Sequence, residues 1–340
     1  MAVSEFGYDF VLDLEDRENN GINYFTRYNV NNGEREEVMS VALDAEGPHG
    51  RYNMCDTIMC KMPTGVTVDE AFKMCHMHNY GYETFFVDSG LMHLYVDGKV
   101  CMVKTGDIIQ LQAGQVHAMA SEEDVKWRGW FHDLDSFHNG IQAGKVAARL
   151  AKMGVPRDDP DFMAARMATG KDFYLCEPPV YEEIPVEEMM AVRHPDRPLA
   201  QFDFKGFSIR QITRRCENAG VSELILCRME PGFSFSYGYH KLREQYYVRT
   251  GKVKLELFGD EYIVTGGSII NIPILAPFKI TAIEQSDVYD INGQANWFPF
   301  FLNLESIRKK DPERLDDPET IKFLKEHFNV ETESISTDLK

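Results

Sequence analysis

Hydrophobic and polar residues alternate in short runs over two parts of the chain, residues 53–133 and 205–293. Glycine-containing turns separate the runs, which is typical of antiparallel β-strands. Two stretches indicate hairpins: "HLYVDGKVCMVKTGD", with a tight turn predicted at 97–98, and "KLELFGDEYIVTGGS", with a turn predicted at 259–260. The pattern therefore predicts two β-rich regions.

The glycines of the two regions repeat with one spacing. They step by eight residues in both, at Gly90, Gly98 and Gly106 and again at Gly251, Gly259 and Gly267. A glutamate stands seven residues before each set, and the offset between the sets is 161 residues (251 minus 90). Because a constant offset of this kind indicates a duplicated structural unit, we predict an all-β chain with two copies of one small antiparallel domain.

Helical and irregular segments are predicted around the two copies. "GIQAGKVAARLAKMG" and "DPDFMAARMATG" have helical periodicity, a proline-rich stretch follows them, and "DPETIKFLKEHF" indicates a C-terminal helix. The predicted segments are an N-terminal extension at 1–50, a first β domain at 51–135, a helical and proline-rich linker at 136–202, a second β domain at 203–295 and a C-terminal helical tail at 296–340.

The composition narrows the class of protein. The 340 residues are 44% hydrophobic and 26% charged, which is typical of globular proteins with sizeable cores. The 36 basic and 54 acidic residues give a net charge of -18, and this charge repels phosphate backbones. We therefore expect no nucleic-acid partner.

The location of the protein is predicted from its cysteines and its apolar runs. The seven cysteines are scattered without CxxC spacing, which indicates reduced thiols and argues against a disulfide framework or a zinc knuckle. No run approaches the ~18 apolar residues of a membrane span, and the N-terminus does not resemble a signal peptide. We expect a cytoplasmic protein without membrane contact.

The stretch "HMHNYGYETFFVDSG" (76–90) has the residue types of a metal site. Residues i and i+2 of a strand share a face, so His76 and His78 point into one space. Glu83 begins the next predicted strand, and His117 returns to the same place if the strands close into a barrel. Three imidazoles and a carboxylate suit a divalent Fe, Mn, Ni, Cu or Zn ion and leave up to two positions for substrate or oxygen. The alternative is a strand with exposed histidines.

These residues resemble the two motifs of the cupin superfamily, G-x5-H-x-H-x3,4-E-x6-G and G-x5-P-x-G-x2-H-x3-N. The matching residues are His76, His78, Glu83 and Gly90 for the first motif and Gly106, Gly114 and His117 for the second. Three positions depart from the motifs and none is a ligand: Glu70, Gln112 and Ser121 replace glycine, proline and asparagine. The resemblance implies a bicupin, with two tandem jelly-roll barrels, an irregular linker and a C-terminal helix.

The second copy has lost part of the motif. His240 and Glu244 are kept, but Gly238 stands at the first histidine position and Phe278 at the last. We predict a structural barrel that serves oligomerisation or closes a pocket. The alternative is that the His240–Glu244 pair still binds a ligand.

Other residues near the motif are candidates for contact with a substrate. Lys73 stands three residues before the first ligand, where the resemblance implies a cation directed at a substrate carboxylate. In "LMHLYVDG", alternation puts His93 and Tyr95 away from the apolar face, outward or at a subunit interface. A ligand role for His93 is the less favoured alternative.

Alternation in "VKWRGWF" (125–131) predicts an apolar pocket beside the metal. It puts the lysine and Arg128 outside and therefore Trp127 and Phe131 inside, where Phe85 could join them. The alternative is that these rings pack only in the core.

The ligand set resembles those of quercetin dioxygenases, acireductone dioxygenases and oxalate decarboxylases, and the chain length resembles that of gentisate and salicylate dioxygenases, which lack the glutamate. The first hypothesis is an Fe(II)- or Mn(II)-dependent dioxygenase that cleaves a C–C bond of a small oxygenated substrate, aromatic in our expectation, with Glu83 as ligand and general base. The second is a non-redox lyase, decarboxylase, isomerase or C–C hydrolase. The third is a binding bicupin without turnover.

We also expect the chains to associate as homo-oligomers, most simply dimers. Cupin barrels have edge strands that need covering. The apolar stretch "WFPFFLNL" (297–304) suggests a buried contact. The alternative is that this stretch packs on the barrel of its own chain.

Overall fold

The computed structural model describes most of both β regions. The described residues are 11–13, 15, 24–28, 35–47, 50–59, 67–73, 75–79, 82–121, 125–132, 153–156, 174–218, 223–236, 244–273, 276–291 and 297–328. The two helices predicted between residues 140 and 170 lie outside these ranges, apart from a turn at 153–154. Gly238 and His240 also lie outside them.

The described chain consists mainly of short β-strands. In the first half they are β1 (Val11–Asp13), β2 (Tyr24–Tyr28), β3 (Arg35–Gly47), β4 (Gly50–Met59), β5 (His76–Met77), β6 (Tyr82–Ser89), β7 (Leu91–Val96), β8 (Lys99–Lys104), β9 (Ile108–Leu111), β10 (His117–Ala120) and β11 (Val125–His132). In the second half they are β12 (Tyr174–Leu175), β13 (Glu182–Glu183), β14 (Val192–Arg193), β15 (Ala200–Phe204), β16 (Phe207–Gln211), β17 (Ile225–Met229), β18 (Ser234–Phe235), β19 (Glu244–Thr250), β20 (Lys252–Leu257), β21 (Asp260–Thr265), β22 (Ser268–Ile272), β23 (Phe278–Ala282) and β24 (Ser286–Asp290).

Helices are few in the described ranges. The α-helices are α1 (Val68–Phe72), α2 (Trp297–Lys310) and α3 (Pro318–Phe328), and short 3₁₀ turns lie at Val186–Glu188, Arg215–Asn218 and Pro312–Asp316. The all-β fold class and the C-terminal helix are confirmed. None of the described helices is long and apolar enough to cross a membrane.

The chain divides into two compact units, each with its own core. The first unit is Ile22–His194, and the second is Pro195–Lys340 together with Met1–Gly21. The five segments and their boundaries remain predictions from the sequence.

The first unit is a sandwich of two antiparallel sheets. One sheet has the strand order β14-β9-β6-β11-β4-β3-β2 and the other β12-β5-β10-β7-β8-β13, the β13–β8 pair being parallel. Alternate residues of both sheets form one apolar core, with Phe85 and Val87 from β6 meeting Met92 and Leu94 from β7. Period-two alternation directs one face of each strand into this core, as expected for a jelly-roll barrel.

Segments on both sides of the first β-rich region pair with it. Strands β2 and β3 lie in the predicted N-terminal extension, and they extend the larger sheet beyond β4. Strands β12, β13 and β14 lie in the predicted linker and pair with β5, β8 and β9. These additions cover strand edges that would otherwise present unpaired N–H and C=O groups.

The second unit repeats the sandwich. Its sheets have the orders β1-β22-β19-β24-β17-β16-β15 and β18-β23-β20-β21. Phenylalanines of α2 and Ile321 and Leu324 of α3 belong to its core. The stretch "WFPFFLNL" therefore packs largely on its own unit, so the sequence argument that it forms a subunit contact was wrong, although Leu302 is exposed.

Both predicted hairpins are confirmed, and the structure corrects one turn. Asp97 and Gly98 have φ of 48° and 80° between β7 and β8. In the second hairpin the turn residues are Phe258 and Gly259, with φ of 55° and 89°, and Asp260 is already the first residue of β21. Positive φ at both central residues is what a two-residue type I′ turn requires, so Phe258 adopts a conformation that its residue type disfavours.

Two side chains predicted to face outward are buried. Tyr95 is 7% exposed because α1 and Tyr181 cover that face, with ring-centroid distances of 5.0 Å to Phe72 and 4.9 Å to Tyr181. Arg128 is 1% exposed and its Nε lies 3.2 Å from Asp88 Oδ2. A buried guanidinium needs such a partner, because an uncompensated buried charge is strongly destabilising.

Candidate metal centre

Strand pairing brings the predicted histidine ligands together in the first unit. His117, the first residue of β10, lies directly opposite His76 of β5. The ring centroids of these two residues are 4.2 Å apart, and the ring of His78 lies 5.0 Å from His76 and 5.7 Å from His117. The pairing of β5 with β10 thus places the three imidazoles side by side.

Glu83 reaches the imidazoles from the other sheet. Its Oε1 lies 3.2 Å from His78 Nε2, and its Oε2 lies 3.1 Å from His117 Nε2. One ligand atom from each of the four residues lies within 4.8 Å of the others. Three of the four are buried and His76 is half-buried.

The electrostatics of this cluster favour an ionised Glu83. Burial alone would raise the pKa of the carboxyl. The imidazoles of His78 and His117 outweigh that effect and hold the pKa of Glu83 well below its ordinary value. The cluster therefore contains a carboxylate at neutral pH.

The donor atoms fit a metal ion. His117 Nδ1 lies 2.9 Å from the carbonyl oxygen of Gln115, which suits an Nδ1–H donor and leaves the Nε2 lone pair directed at the cluster. Within the described part of the chain, His117 Nε2 and Glu83 Oε2 make no hydrogen bond of regular geometry although they are close. Converging imidazole nitrogens and a carboxylate are the donor set that first-row divalent ions prefer.

Gln110 is a residue near the site that the sequence analysis missed. Its buried side-chain NH₂ donates to the carbonyl oxygens of Glu83 (3.3 Å) and Leu111 (3.4 Å), and its Oε1 accepts from Thr84 Oγ1 (2.7 Å). The amide thus ties β6 to β9 at the level of Glu83. The available signal was a polar residue within the apolar run "DIIQL".

The structure brings some of the predicted substrate residues together. Phe85 and Trp127 are buried in the barrel, with ring centroids 4.6 Å apart in an edge-to-face arrangement. Phe131 is opposite Glu83 in the β6–β11 register, and its side chain is outside the described set. Lys73 is exposed just after α1, and that helix packs on the sheet face opposite the ligands. Substrate contact by these residues remains a prediction.

The second unit lacks a comparable donor cluster in its described part, since the group in the first unit is the one found there. Glu244, which corresponds to Glu83, is buried and accepts a 2.6 Å hydrogen bond from Tyr246 Oη. Phe278 is buried at the position of the last histidine, with its ring centroid 5.9 Å from that of Tyr246.

Comparison with known proteins agrees with this architecture. Residues 60–131 match the cupin domain family. No sequence among the curated proteins matches the chain. An oxalate decarboxylase from Lactobacillus farciminis, solved with formate, is 16% identical, covers 93% of this chain and 96% of its own, and superposes with a TM-score of 0.50.

Two further solved structures have weaker similarity. Salicylate 1,2-dioxygenase from Pseudoaminobacter salicylatoxidans, solved with gentisate, is 11% identical over 70% of this chain and 67% of its own, with a TM-score of 0.46. Oxalate decarboxylase from Bacillus subtilis is 12% identical over 96% and 84%, with a TM-score of 0.48. Residues 60–131 are thus similar to the cupin domain family, and the two sandwiches resemble the fold of a solved oxalate decarboxylase over most of both chains.

Proposed function

We propose that this protein is a mononuclear metal-dependent enzyme that cleaves a C–C bond of a small oxygenated molecule. The observation that carries the proposal is the cluster of His76, His78, Glu83 and His117 in the first barrel. Four protein ligands would leave room for substrate on a six-coordinate ion. Fe(II) or Mn(II) is our first choice, with Zn, Ni and Cu as alternatives.

The residues of the cluster have distinct roles in this proposal. The three imidazoles hold the ion, which when bound supplies Lewis-acid or redox chemistry to a substrate oxygen. Glu83 contributes the only negative charge among the ligands. Its lowered pKa suits a ligand but makes it a weak base in the resting site. A base role requires that its carboxylate leave the imidazoles and accept a proton from a substrate hydroxyl.

A dioxygenase is the first candidate reaction. Phe85 and Trp127 present aromatic surface inside the same barrel, and this surface suits a flat, apolar substrate body. The aromatic substrate expected from the sequence fits such a wall. In this candidate, dioxygen is consumed as the C–C bond breaks.

A decarboxylase or related non-redox lyase is the second candidate. The observation in its favour is that a solved oxalate decarboxylase covers 93% of this chain and 96% of its own with a TM-score of 0.50. At 16% identity this likeness concerns the fold, so the reaction has to be decided by experiment. In this candidate, carbon dioxide is released without consumption of oxygen.

Elemental analysis followed by paired assays tests the proposal. We expect about one metal ion per chain, and a substrate screen in air and in an anaerobic chamber separates the candidates. Turnover that continues undiminished without oxygen would remove the dioxygenase. Metal binding without turnover of any screened substrate would favour the binding bicupin.

Glu83→Gln should retain part of the metal and lower activity by roughly 10²-fold, the usual scale for loss of a positioned base. The matched control is His93→Ala, since His93 is a half-buried histidine of the same barrel outside the ligand group. It should retain both metal and activity. Equal metal loss in the two variants would contradict the ligand assignment.

We also propose that the chain forms homo-oligomers in a reducing compartment, consistent with a cytoplasmic location. The structure shows free thiols at Cys75, Cys101, Cys176, Cys216 and Cys227. Light scattering at micromolar concentrations tests association, and a monomeric mass would contradict it.

A further inference from the structure

The indole of Trp127 is a buried hydrogen-bond donor for which the described residues provide no acceptor. Its side chain is 6% exposed, and its Nε1 makes no hydrogen bond within the part of the chain that the structure describes. Buried indole N–H groups usually find a partner, and leaving one unpaired costs free energy. The barrel thus contains a donor that no described neighbouring group uses.

This donor lies in the same interior as the candidate metal ligands. The Trp127 ring packs against Phe85, and Phe85 is two residues from Glu83 on the same face of β6. Among the described residues, the side chains that share this core with Trp127 are hydrocarbon, such as Val87 and Ile109, or carry sulfur, such as Met92. Sulfur is only a weak acceptor.

A glycine of β11 lies between Trp127 and the level of the metal ligands. Gly129 follows Trp127 at the next position on the same face of β11, and it lies opposite Phe85. Because glycine has no side chain, β11 contributes none to the interior at that level. A ligand body placed there would contact the Phe85 ring.

We infer that Trp127 Nε1–H donates to an oxygen of the substrate, so the substrate has oxygen functions at both ends. This inference rests on the proposed function and names its substrate class. One end binds the metal, the middle is flat and apolar, and an acceptor oxygen (carboxylate, carbonyl or phenol) stands at the far end. Phe85, against which the Trp127 ring packs, lies two residues from Glu83, which is about 7 Å along the strand, and Trp127 itself is opposite Val87, two residues further on. A two-carbon dicarboxylate is too short for this distance.

The indole resonances provide a direct test. The chain has only three tryptophans, so ¹H–¹⁵N spectra of Zn(II)-loaded protein contain one indole signal each for Trp127, Trp130 and Trp297. The probes are oxalate, catechol and 3,4-dihydroxybenzoate, which adds a carboxylate across the ring from the metal-binding oxygens. We expect 3,4-dihydroxybenzoate to move the Trp127 signal downfield. Oxalate and catechol should leave it close to its starting position.

Two variants isolate the N–H group. Trp127→Phe assigns the signal and removes the donor, and replacement of Trp127 by 3-benzothienylalanine keeps the bicyclic shape without the N–H. In both, we expect the preference for 3,4-dihydroxybenzoate over catechol to fall by roughly tenfold to a hundredfold, the range for a hydrogen bond to a charged acceptor. The affinity for catechol should change little in the benzothienylalanine variant. Because this variant keeps the shape of the indole, it allows the test to be made even if Trp127→Phe folds poorly.

Several outcomes would overturn the inference. They are an unmoved Trp127 signal with all three probes, a shift caused by oxalate, an unchanged preference in the benzothienylalanine variant, and the absence of binding by 3,4-dihydroxybenzoate at millimolar concentration. Failure of the proposed function is a separate result. If the protein binds 3,4-dihydroxybenzoate through Trp127 but turns over no substrate, this inference stands and the proposed function fails. If the protein turns over substrate while the indole signal stays unmoved, the proposed function stands and this inference fails.

Discussion

Replacement of Glu223 by glutamine should make the protein more stable at alkaline pH. Glu223 stands two residues before β17, is 5% exposed and accepts a 3.0 Å hydrogen bond from Gln211 Nε2. Burial raises the pKa of Glu223 to about 7, and the charge of Asp290 adds to this effect, while the Gln211 hydrogen bond and Arg215 oppose it. The folded protein therefore holds a proton on Glu223 that the unfolded chain releases at lower pH.

The sign and size of the effect follow from proton linkage. The ordinary pKa is 4.5 and the folded value is about 7, so the folded state binds more protons and the free energy of unfolding falls as pH rises through this window. At about 1.4 kcal/mol for each pK unit, the loss approaches roughly 3 kcal/mol above pH 7. Glutamine carries no charge and still offers a carbonyl oxygen to Gln211. Relative to the parent, Glu223→Gln should gain about 2 to 3 kcal/mol between pH 5 and pH 8.5.

Urea unfolding at pH 5, 7 and 8.5 measures this difference. Glu230→Gln is the matched control, because Glu230 is an exposed glutamate just after the same strand. The control should give a pH-independent difference close to zero. A Glu223→Gln difference that is equal at all three pH values, or that turns unfavourable at pH 8.5, would show that Glu223 is not held protonated by burial.

Three further predictions concern the site and the turns. His117→Ala should leave a folded protein with little metal, checked by circular dichroism and elemental analysis; retained metal would contradict its role as a ligand. Gln110→Met should lower the metal affinity, and it should lower the free energy of unfolding by about 1 to 3 kcal/mol because a buried hydroxyl and two carbonyls lose their partner. Isothermal titration measures the affinity and urea unfolding the stability. An unchanged metal affinity would mean that Gln110 stabilises the sheet without supporting the metal site. Gly251→Ala should lower the melting temperature of the protein far more than Gly259→Ala. Both glycines have positive φ, but of the two only a Cβ at Gly251 would overlap the carbonyl oxygen of Gln285. Equal decreases in thermal unfolding would refute the steric argument.

The duplicated fold was predictable because it depends on local features. The glycines at turns need positive φ, and Gly90, Gly98, Gly251 and Gly259 all have φ between 80° and 93°. The number of residues between two such glycines therefore predicts the length of the strand that connects the two turns. The four candidate ligands were predictable for a similar reason, because strand periodicity and turn positions decide which side chains share a face.

Burial of the outer sheet faces was not predictable from alternation. Alternation predicts which residues share a strand face with Tyr95 or with Arg128, but it gives no information on what covers either face. Tyr95 is buried by α1 and by Tyr181, a residue 86 positions later in the chain (181 minus 95). Only the tertiary structure supplies such a partner.

The added edge strands carried too little local signal to be predicted. Strands β12, β13 and β14 have two residues each and lie within the region predicted as a linker. Their pairing depends on available edges of sheets that form elsewhere. Phe258 is a related case, since a non-glycine residue at positive φ is imposed by the hairpin register and not by its own preference.

The contrast between Glu83 and Glu244 supports the assignment of the metal to the first barrel. Both are buried carboxyls at equivalent positions of duplicated strands, and a buried carboxylate is costly unless it is compensated. Two residues on, the second barrel has Tyr246, whose hydroxyl donates to Glu244 at 2.6 Å. The first barrel has Phe85 at that position and surrounds Glu83 with imidazoles instead. The second barrel, where Phe278 stands at the position of the last histidine, thus has a hydroxyl donor beside its glutamate. The first barrel, which has all three histidines, has no hydroxyl at that position. Among the described residues, the two barrels therefore compensate equivalent carboxyls in different ways, and the arrangement around Glu83 is the one that also brings imidazole and carboxylate donors to a shared point, as a metal ion requires.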